Sequence, residues 1–415
     1  MSKLYDKYKV LGDKENSQFF NEYLPKIFDR RESSGIDDLL IGMRGIVVQV
    51  DTGDALKYMM ELYLMTPYRF TVGYTCATHR AYILQVKPEY PAYIILEPTN
   101  KEYYDEFSAV DSLYPRAKEK HNVRYIGEIY HSKNALDTAK ILTTHEIRFQ
   151  DPNEIKNAFL KNKNFYATTL SYFTNNCVIY TNNPMQDFDS LELGEKFDLS
   201  ADEKDQLSKV NEVHIHFGLD KLVFGIDHMA TRVLCNEREH AILEFLCMSN
   251  YYFWGAYNIE DSNSSTNICR NPSIDYELKS PAKVFTANNT PFYVTTINGL
   301  PSPTEDFVRN LGKRMHHIAY EVADGAREDG TKNIDYVVEK LISEKIPFLA
   351  QVIGECRDFP DLKQIFSKSS PHSFLITEYV QRCQGFAGFF TKTNVGYLTK
   401  AAGEDEKLAK KATFS

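Results

Sequence analysis

The sequence of 415 residues predicts an α+β fold in which four βαβββ modules pair into two barrel-like cups. Three observations predict it. A pattern of one strand, one amphipathic helix and about three further strands recurs roughly every 80 to 100 residues. The 27 tyrosines and 26 phenylalanines suit β-rich packing. A segment rich in Asp, Asn and Ser divides the chain near its middle, and the chain is too long for one ordinary core.

Each module opens with an alternating strand, and a helix with apolar residues at helical spacing follows. The predicted strand and helix of each module are, in order, 41–50 and 54–64, 122–131 and 134–145, 225–234 and 236–250, and 314–324 and 333–347. Further alternating strands are predicted at 68–75, 80–86, 92–98, 251–259 and 291–298. A single module leaves one face of its sheet uncovered, so we expect the modules to pair.

The polar segment sets the domain boundaries. We predict an N-terminal domain over residues 30–182, a linker over 183–210 and a C-terminal domain over 211–403.

Composition narrows the class of protein. The net charge of −9 provides no attraction for nucleic acid or an anionic membrane. No apolar run reaches the 18 residues of a membrane span, and the charged start does not resemble a signal peptide. The seven cysteines are scattered without a CxxC pair, which predicts reduced thiols. We therefore expect a cytoplasmic protein that binds neither nucleic acid nor membrane.

Three residues in alternating segments form a candidate metal site. His228 shares a strand face with Ile226 and Ala230, and the same alternation places His317 and Glu378 on apolar, core-facing rows. A carboxylate on such a row is costly unless it is paired or bound to a metal. Two imidazoles and one carboxylate form the facial triad of non-haem Fe(II) oxygenases. Because the two histidines occupy equivalent places in the third and fourth modules, pairing of these modules predicts that they meet.

A simpler interpretation of each histidine is a core residue with satisfied hydrogen bonds. The other histidines have weaker patterns. We predict His214 and His216 on a solvated strand edge and His240 on a helix surface. His316 points away from His317 by strand alternation, although its place beside a ligand leaves a role in the pocket open. In the first two modules the equivalent positions are Gly45 and Tyr125, so only the C-terminal cup is expected to hold a metal.

The same motifs resemble the 4-hydroxyphenylpyruvate dioxygenase family of the vicinal oxygen chelate superfamily. The resemblance covers about residues 220–400 and is only architectural before them. It rests on IDHMATRV with His228, HHIAYEV with His317, ITEYVQR with Glu378, and the segments LKQIFSK, TTINGLP and GFFTKTNVGYLTKAA.

The resemblance implies a two-domain fold and an Fe(II) enzyme that oxidatively decarboxylates a 2-oxo acid with dioxygen. In the family the substrate is 4-hydroxyphenylpyruvate and the product homogentisate, in tyrosine catabolism. It implies that Gln364 acts beside the metal ligands. It implies substrate contacts by Asn298, Phe366, Phe390 and Asn394, and a lid helix after Gly388. A homodimer or homotetramer is also expected.

Several residues depart from the family pattern. His316 stands where the family has Gln, and Lys283 aligns near a pocket Ser, so both are further candidates for substrate contact. The other departures are Gly299, Thr391, Thr393 and Val395. These changes predict weaker preference for the hydroxylated ring over phenylpyruvate and other 2-oxo acids. Two alternatives stay open: a related dioxygenase with another substrate or product, such as a mandelate, and a ligand-binding paralogue without turnover.

Overall fold

The computed structural model describes residues 11–12, 17–272, 279–291, 302–357 and 359–409. Asn298, Gly299 and most of the predicted strand 291–298 lie outside these residues. The described part contains sixteen strands and ten helices in an α+β arrangement of two curled sheets. None of the described helices has the length and apolar character needed to cross a bilayer.

The strands form two eight-stranded sheets of corresponding topology. The strands of the described part are β1 Leu11–Gly12, β2 Leu40–Gln49, β3 Arg69–Thr75, β4 His79–Gln85, β5 Ala92–Pro98, β6 Arg124–Ser132, β7 Tyr166–Ala167, β8 Cys177–Thr181, β9 Glu195–Phe197, β10 Val223–Arg232, β11 Tyr252–Ile259, β12 Ser264–Arg270, β13 Ala282–Ala287, β14 Arg314–Val322, β15 Asp361–Phe366 and β16 Ile376–Cys383. The N-terminal sheet has the order β7-β8-β6-β2-β5-β4-β3-β9, and the C-terminal sheet has the order β1-β11-β12-β13-β10-β14-β16-β15.

The helices follow the first strand of each module, as the helical spacing predicts. The helices of the described part are α1 Ser17–Ser34, α2 Ile36–Leu39, α3 Ala55–Met65, α4 Glu106–Asp111, α5 Ala135–Thr144, α6 Ala201–His216, α7 Arg238–Met248, α8 Pro303–Leu311, α9 Asn333–Ser343 and α10 Lys392–Ala409. Helices α3, α5, α7 and α9 are the crossover helices of the four modules. Their apolar sides are buried, which supplies much of the core.

The two sheets use their two faces differently. One core lies between the halves of the protein and contains, among others, Tyr68 and Tyr125 of the first half and Tyr320 and Met229 of the second. A separate apolar core fills the N-terminal cup, with Val47, Ile129 and Ile179 among its residues. The C-terminal cup has a smaller apolar core, with Ala230, Val284 and Val380 among its residues, and it also contains a cavity, described below. The cups therefore differ in what fills them, although their strands correspond.

The segment predicted as a linker is folded. Its strand β9 pairs with β3 of the N-terminal sheet, and helix α6 begins at Ala201 after a capping box of Ser200 and Glu203. The apolar spacing within 201–216 is helical, so His214 and His216 lie on a helix and the predicted strand edge is wrong. His214 is buried with Nδ1 2.8 Å from the Leu64 carbonyl oxygen. Burial lowers its pKa to about 4 despite that hydrogen bond, so it is a neutral core histidine.

One expectation about the cysteines is wrong. Cys356 and Cys383 form a disulfide with their Cα atoms 5.6 Å apart, while the other five cysteines are free. The cause is tertiary. Asp361 pairs across the sheet with Cys383, and its carboxylate accepts hydrogen bonds from the backbone N–H groups of Glu355 and Cys356. This turn brings together two thiols that are 27 residues apart in the sequence.

Replacing Cys383 with serine is expected to lower the free energy of unfolding by about 3 to 4 kcal/mol, because the unfolded chain loses a loop constraint. Urea denaturation measures this. Reductant should lower the stability of the wild type to that of Cys383→Ser and leave the variant unchanged, and Cys235→Ser is the free-cysteine control. A wild type whose stability ignores reductant would contradict the disulfide.

Candidate metal centre

The three candidate ligands lie on neighbouring strands of the C-terminal sheet. His228 on β10 is opposite Ala319 on β14, and Ala319 is opposite Glu378 on β16. His317 is two residues from Ala319 and shares its face. The Nε2 atoms of His228 and His317 lie 3.0 and 3.2 Å from the Glu378 Oε2 atom. Among the described residues, these three are the one group of His, Cys, Asp or Glu side chains close enough to hold a metal ion.

The geometry fits a cation better than a hydrogen bond. The Nε2 atom of His228 is buried and makes no hydrogen bond within the described part of the chain, although the Glu378 oxygen is only 3.0 Å away. The short distance to Glu378 therefore does not provide this nitrogen with a hydrogen bond. Two imidazoles and a carboxylate, all at most 6% exposed, form a donor set suited to a first-row divalent metal.

A carboxylate behind His228 sets its orientation. The Nδ1 atom of His228 lies 2.7 Å from Asp227 Oδ2, and Arg382 forms an ion pair with the same carboxylate. Asp227 reaches this place because the register shifts between Ile226 and His228, so Asp227 is an extra residue on β10. With Nδ1 as the donor to Asp227, Nε2 is left to bind a metal. Asp227 was not among the residues that the sequence predicted. The sequence feature that could have identified it is a carboxylate that interrupts the alternation of apolar residues next to His228.

The negative charges of Asp227 and Glu378 next to His228 favour the presence of a positive charge at this site. Burial acts to lower the pKa of His228, but the negative charge of Glu378 and the hydrogen bond to Asp227 outweigh it and raise the pKa to about 9. Burial and the nearby positive charge of Arg232 lower the pKa of His317 well below its usual range. His317 is thus neutral, which is the form that binds metals.

Gln364 on β15 orients the carboxylate. Its Nε2 atom donates a 2.6 Å hydrogen bond to Glu378 Oε1, which leaves Oε2 directed at the two histidines. The Gln364 Oε1 atom is buried and has no hydrogen-bond partner among the described residues. Gln364 therefore contacts a candidate ligand on one side and offers an acceptor on the other.

His316 does not point away from His317 as alternation predicts. The pairing places Ala230 opposite His317 and Thr231 opposite Met315, so His316 is an extra residue in a bulge of β14. The bulge turns its ring to the cavity, where its Nδ1 lies 2.8 Å from that of His317. Burial and the positive charge of Arg232 lower the pKa of His316.

Lys283 is not in the cavity. It is opposite Met229, one residue after the pair of His228 and Ala282, so its side chain lies on the other face of the sheet. There it forms an ion pair with Glu128 of the N-terminal half, and both side chains are 3% exposed. The expectation that Lys283 contacts the substrate is therefore wrong, because neighbouring residues of a strand point to opposite faces of the sheet.

The aromatic residues and the lid surround the candidate ligands. The ring of Phe366 lies 4.8 Å from that of His317, and the ring of Phe390 lies 5.1 Å from that of His228. Val395 on helix α10 also lines the cavity. Asn394 does not line it, because its Nδ2 donates a 2.8 Å hydrogen bond to the Leu362 carbonyl oxygen. Asn394 thus attaches the lid helix to β15.

The cavity offers about 50 Å³ of space to the centre of a water-sized molecule. Several polar residues that the sequence did not single out line it. They are Arg232, Ser264, Thr266, Thr286, Thr304 and Thr399. Only the pairing of β12, β13 and β10 and the packing of two helices bring these residues to one cavity.

The N-terminal cup lacks a corresponding donor set among its described residues. Gly45 is opposite Ile129 as His228 is opposite Ala319, so Gly45 is the equivalent of His228. The equivalent of His317 is Gly127 rather than the predicted Tyr125, because Gly127 is two residues before Ile129 as His317 is two residues before Ala319. Ile179 stands in the place of Glu378. A Cβ atom at Gly127 would lie only 2.0 Å from the Cys177 carbonyl oxygen.

Comparison with known proteins decides the fold. No protein-family model and no curated protein matches the chain. A triple mutant of 4-hydroxymandelate synthase from Streptomyces coelicolor matches with a TM-score of 0.57 and 12% identity, over 88% of this chain and 99% of that one. This chain has the two-domain vicinal oxygen chelate fold. The predicted fold class is thereby confirmed.

A second solved structure has the same fold. It is a fusion of a xylose isomerase-like TIM barrel with 4-hydroxyphenylpyruvate dioxygenase, matched with a TM-score of 0.53 and 12% identity. The match covers 88% of this chain and 53% of the fusion, so the chain spans about half of the fusion's length. At this identity the likeness concerns the fold, and the site must be argued from its own residues.

Proposed function

We propose that the chain is an Fe(II)-dependent dioxygenase that oxidatively decarboxylates a 2-oxo acid. The convergence of His228, His317 and Glu378 in the C-terminal cup carries the proposal. Three protein ligands on one side leave positions for a chelating substrate and dioxygen. Bound Fe(II) would supply a redox-active Lewis acid at which dioxygen is reduced while the 2-oxo acid loses carbon dioxide.

The residues of this chain have distinct tasks in that reaction. Asp227 and Gln364 hold His228 and Glu378 in the orientation that a metal needs. Phe389 and Phe390 pack edge to face with centroids 4.6 Å apart, and the ring of His228 contacts both. This apolar cover, with helix α10, would exclude water from the ligands and position the substrate.

An aryl 2-oxo acid is the substrate that the family resemblance implies. The reaction would then yield homogentisate from 4-hydroxyphenylpyruvate, or a mandelate, as the name of one neighbour in fold suggests. Both outcomes need the same metal ligands, so they are distinguished by products.

Two measurements test the proposed function. Purified protein loaded anaerobically should hold one Fe(II) per chain, and it should consume dioxygen only when a 2-oxo acid is added. A panel of 4-hydroxyphenylpyruvate, phenylpyruvate and aliphatic 2-oxo acids identifies the class, and product analysis identifies the outcome. Protein that binds no iron would instead support the ligand-binding paralogue. Iron without oxygen consumption on any 2-oxo acid would exclude this reaction.

Replacing Gln364 with leucine is expected to weaken metal binding about 10- to 100-fold, because Glu378 loses the donor that orients it. Titration of the metal-free protein with Co(II), followed by its visible spectrum, measures the affinity. Gln384→Leu changes an exposed glutamine after β16 and serves as the matched control. Equal affinities of Gln364→Leu and wild type would show that Gln364 does not orient a ligand.

A further inference from the structure

The lining of the cavity contains two kinds of side chain. Phe366, Phe390, Val395 and Leu398 are apolar. Hydroxyl residues from four separate elements also line the cavity. These are Ser264 and Thr266 on β12, Thr286 on β13, Thr304 on α8 and Thr399 on α10.

Strand propensity alone explains a single threonine on a strand. It does not explain why hydroxyl residues from two strands and two helices converge on one cavity. Thr266 and Thr286 are direct cross-strand partners and share the cavity face, whereas Lys283 and Phe285 occupy the other face. The side chains of Ser264, Thr266 and Thr286 therefore lie on the cavity face of β12 and β13, next to the apolar Val284, and we call these three hydroxyl residues the polar floor.

Two buried polar atoms on this cavity have no hydrogen-bond partner among the described residues. They are Thr286 Oγ1 and Gln364 Oε1. The sheet order β13-β10-β14-β16-β15 places them on either side of the candidate ligands. A ligand that pairs with neither atom binds more weakly, because both buried polar atoms then stay without a hydrogen bond. A site built to pair with hydroxyl groups rejects analogues that lack them.

We propose that the substrate is a 2-oxo acid with an aliphatic chain that bears two or more hydroxyl groups. The inference rests on the proposed function, because the 2-oxo acid end is assigned to the metal ligands. Gln364 is bonded to Glu378, so a hydroxyl near the 2-oxo end would donate to Gln364 Oε1. A hydroxyl farther along the chain would pair with Thr286 and the floor. The single hydroxyl at the far end of a rigid phenol ring reaches only one of these places.

Anaerobic binding to the Fe(II)-loaded protein tests the inference without turnover. The probes are 4,5-dihydroxy-2-oxopentanoate and 2-oxopentanoate, which share a five-carbon chain and differ only in the two hydroxyl groups, and 4-hydroxyphenylpyruvate. Titration calorimetry gives the affinities. The dihydroxy acid should bind about tenfold or more tightly than 2-oxopentanoate and more tightly than the aryl acid.

Substitutions at Thr286 show whether the floor is responsible. Thr286→Val keeps the shape and removes the hydroxyl, so the ratio of the two aliphatic affinities should fall at least about fivefold. Thr286→Ser should retain the ratio. Thr75→Val makes the same change at an exposed position on β3, away from the cavity, and should leave the ratio unchanged.

The outcomes separate the two proposals. If 2-oxopentanoate or 4-hydroxyphenylpyruvate binds as tightly as the dihydroxy acid, the substrate class is wrong while the proposed function stands. The same holds if Thr286→Val leaves the ratio unchanged. If the iron-loaded protein binds none of the three acids, both proposals are overturned.

Discussion

Replacing Glu378 with glutamine is expected to reduce bound iron to well under one per chain and turnover by at least about a thousandfold. The substitution keeps the size of the side chain but removes the charge, and the Oε2 atom next to both histidines loses its ligand character. His228→Ala and His317→Ala should have the same effect. Iron analysis and oxygen consumption with a 2-oxo acid measure these losses.

The fold should survive these changes, because they leave every apolar side chain of the N-terminal core and of the core between the halves in place. Far-UV circular dichroism checks this. His240→Ala removes an exposed histidine from α7 and should retain full iron content and activity. Full activity in any of the three ligand variants would refute the assignment of that ligand.

Replacing Lys283 with methionine is expected to lower the free energy of unfolding by about 3 to 5 kcal/mol, because it leaves the Glu128 carboxylate buried without its partner. Glu128 lies on β6 and Lys283 on β13, so the pair joins the two halves of the protein. Changing both residues, to Lys283→Met and Glu128→Leu, should restore most of the loss, since two apolar side chains need no partner.

Urea denaturation of the two single variants and the double variant measures the coupling. Lys279→Met is the matched control, because Lys279 pairs with Glu321 at 3.6 Å with both side chains more than 40% exposed. Lys279→Met should lower the free energy of unfolding by less than about 1 kcal/mol. Lys283→Met should also bind iron as the wild type does below its unfolding transition. If the folded variant lost its iron, this would imply that Lys283 contacts the cavity. That result would contradict its position on the opposite face of the sheet.

Much of the fold was predictable because it follows from local periodicity. Strand alternation and helical spacing identified all four first strands and their helices, since each pattern lies within about a dozen consecutive residues. Alternation also placed His228, His317 and Glu378 on inward faces. The structure brings these three residues together as the pairing of the third and fourth modules predicts.

The errors have a common origin in contacts between distant residues. The bulges at Asp227 and His316 depend on how β10 pairs with β14, and no window of sequence contains both strands. Only the pairing of β2 with β6 identifies Gly127, rather than Tyr125, as the equivalent of His317. Cys356 meets Cys383 only because Asp361 joins a turn to a strand pair.

By itself the sequence determined the repeated module and the inward parity of the candidate ligands, because both depend on spacing along one strand or helix. Only the tertiary structure decided which side chains support those ligands and which face the cavity. Asp227 and Gln364 bond to the candidate ligands, His316 enters the cavity and Lys283 leaves it for Glu128. Each of these outcomes depends on register between strands far apart in the chain, and a shift of one residue moves a side chain to the opposite face.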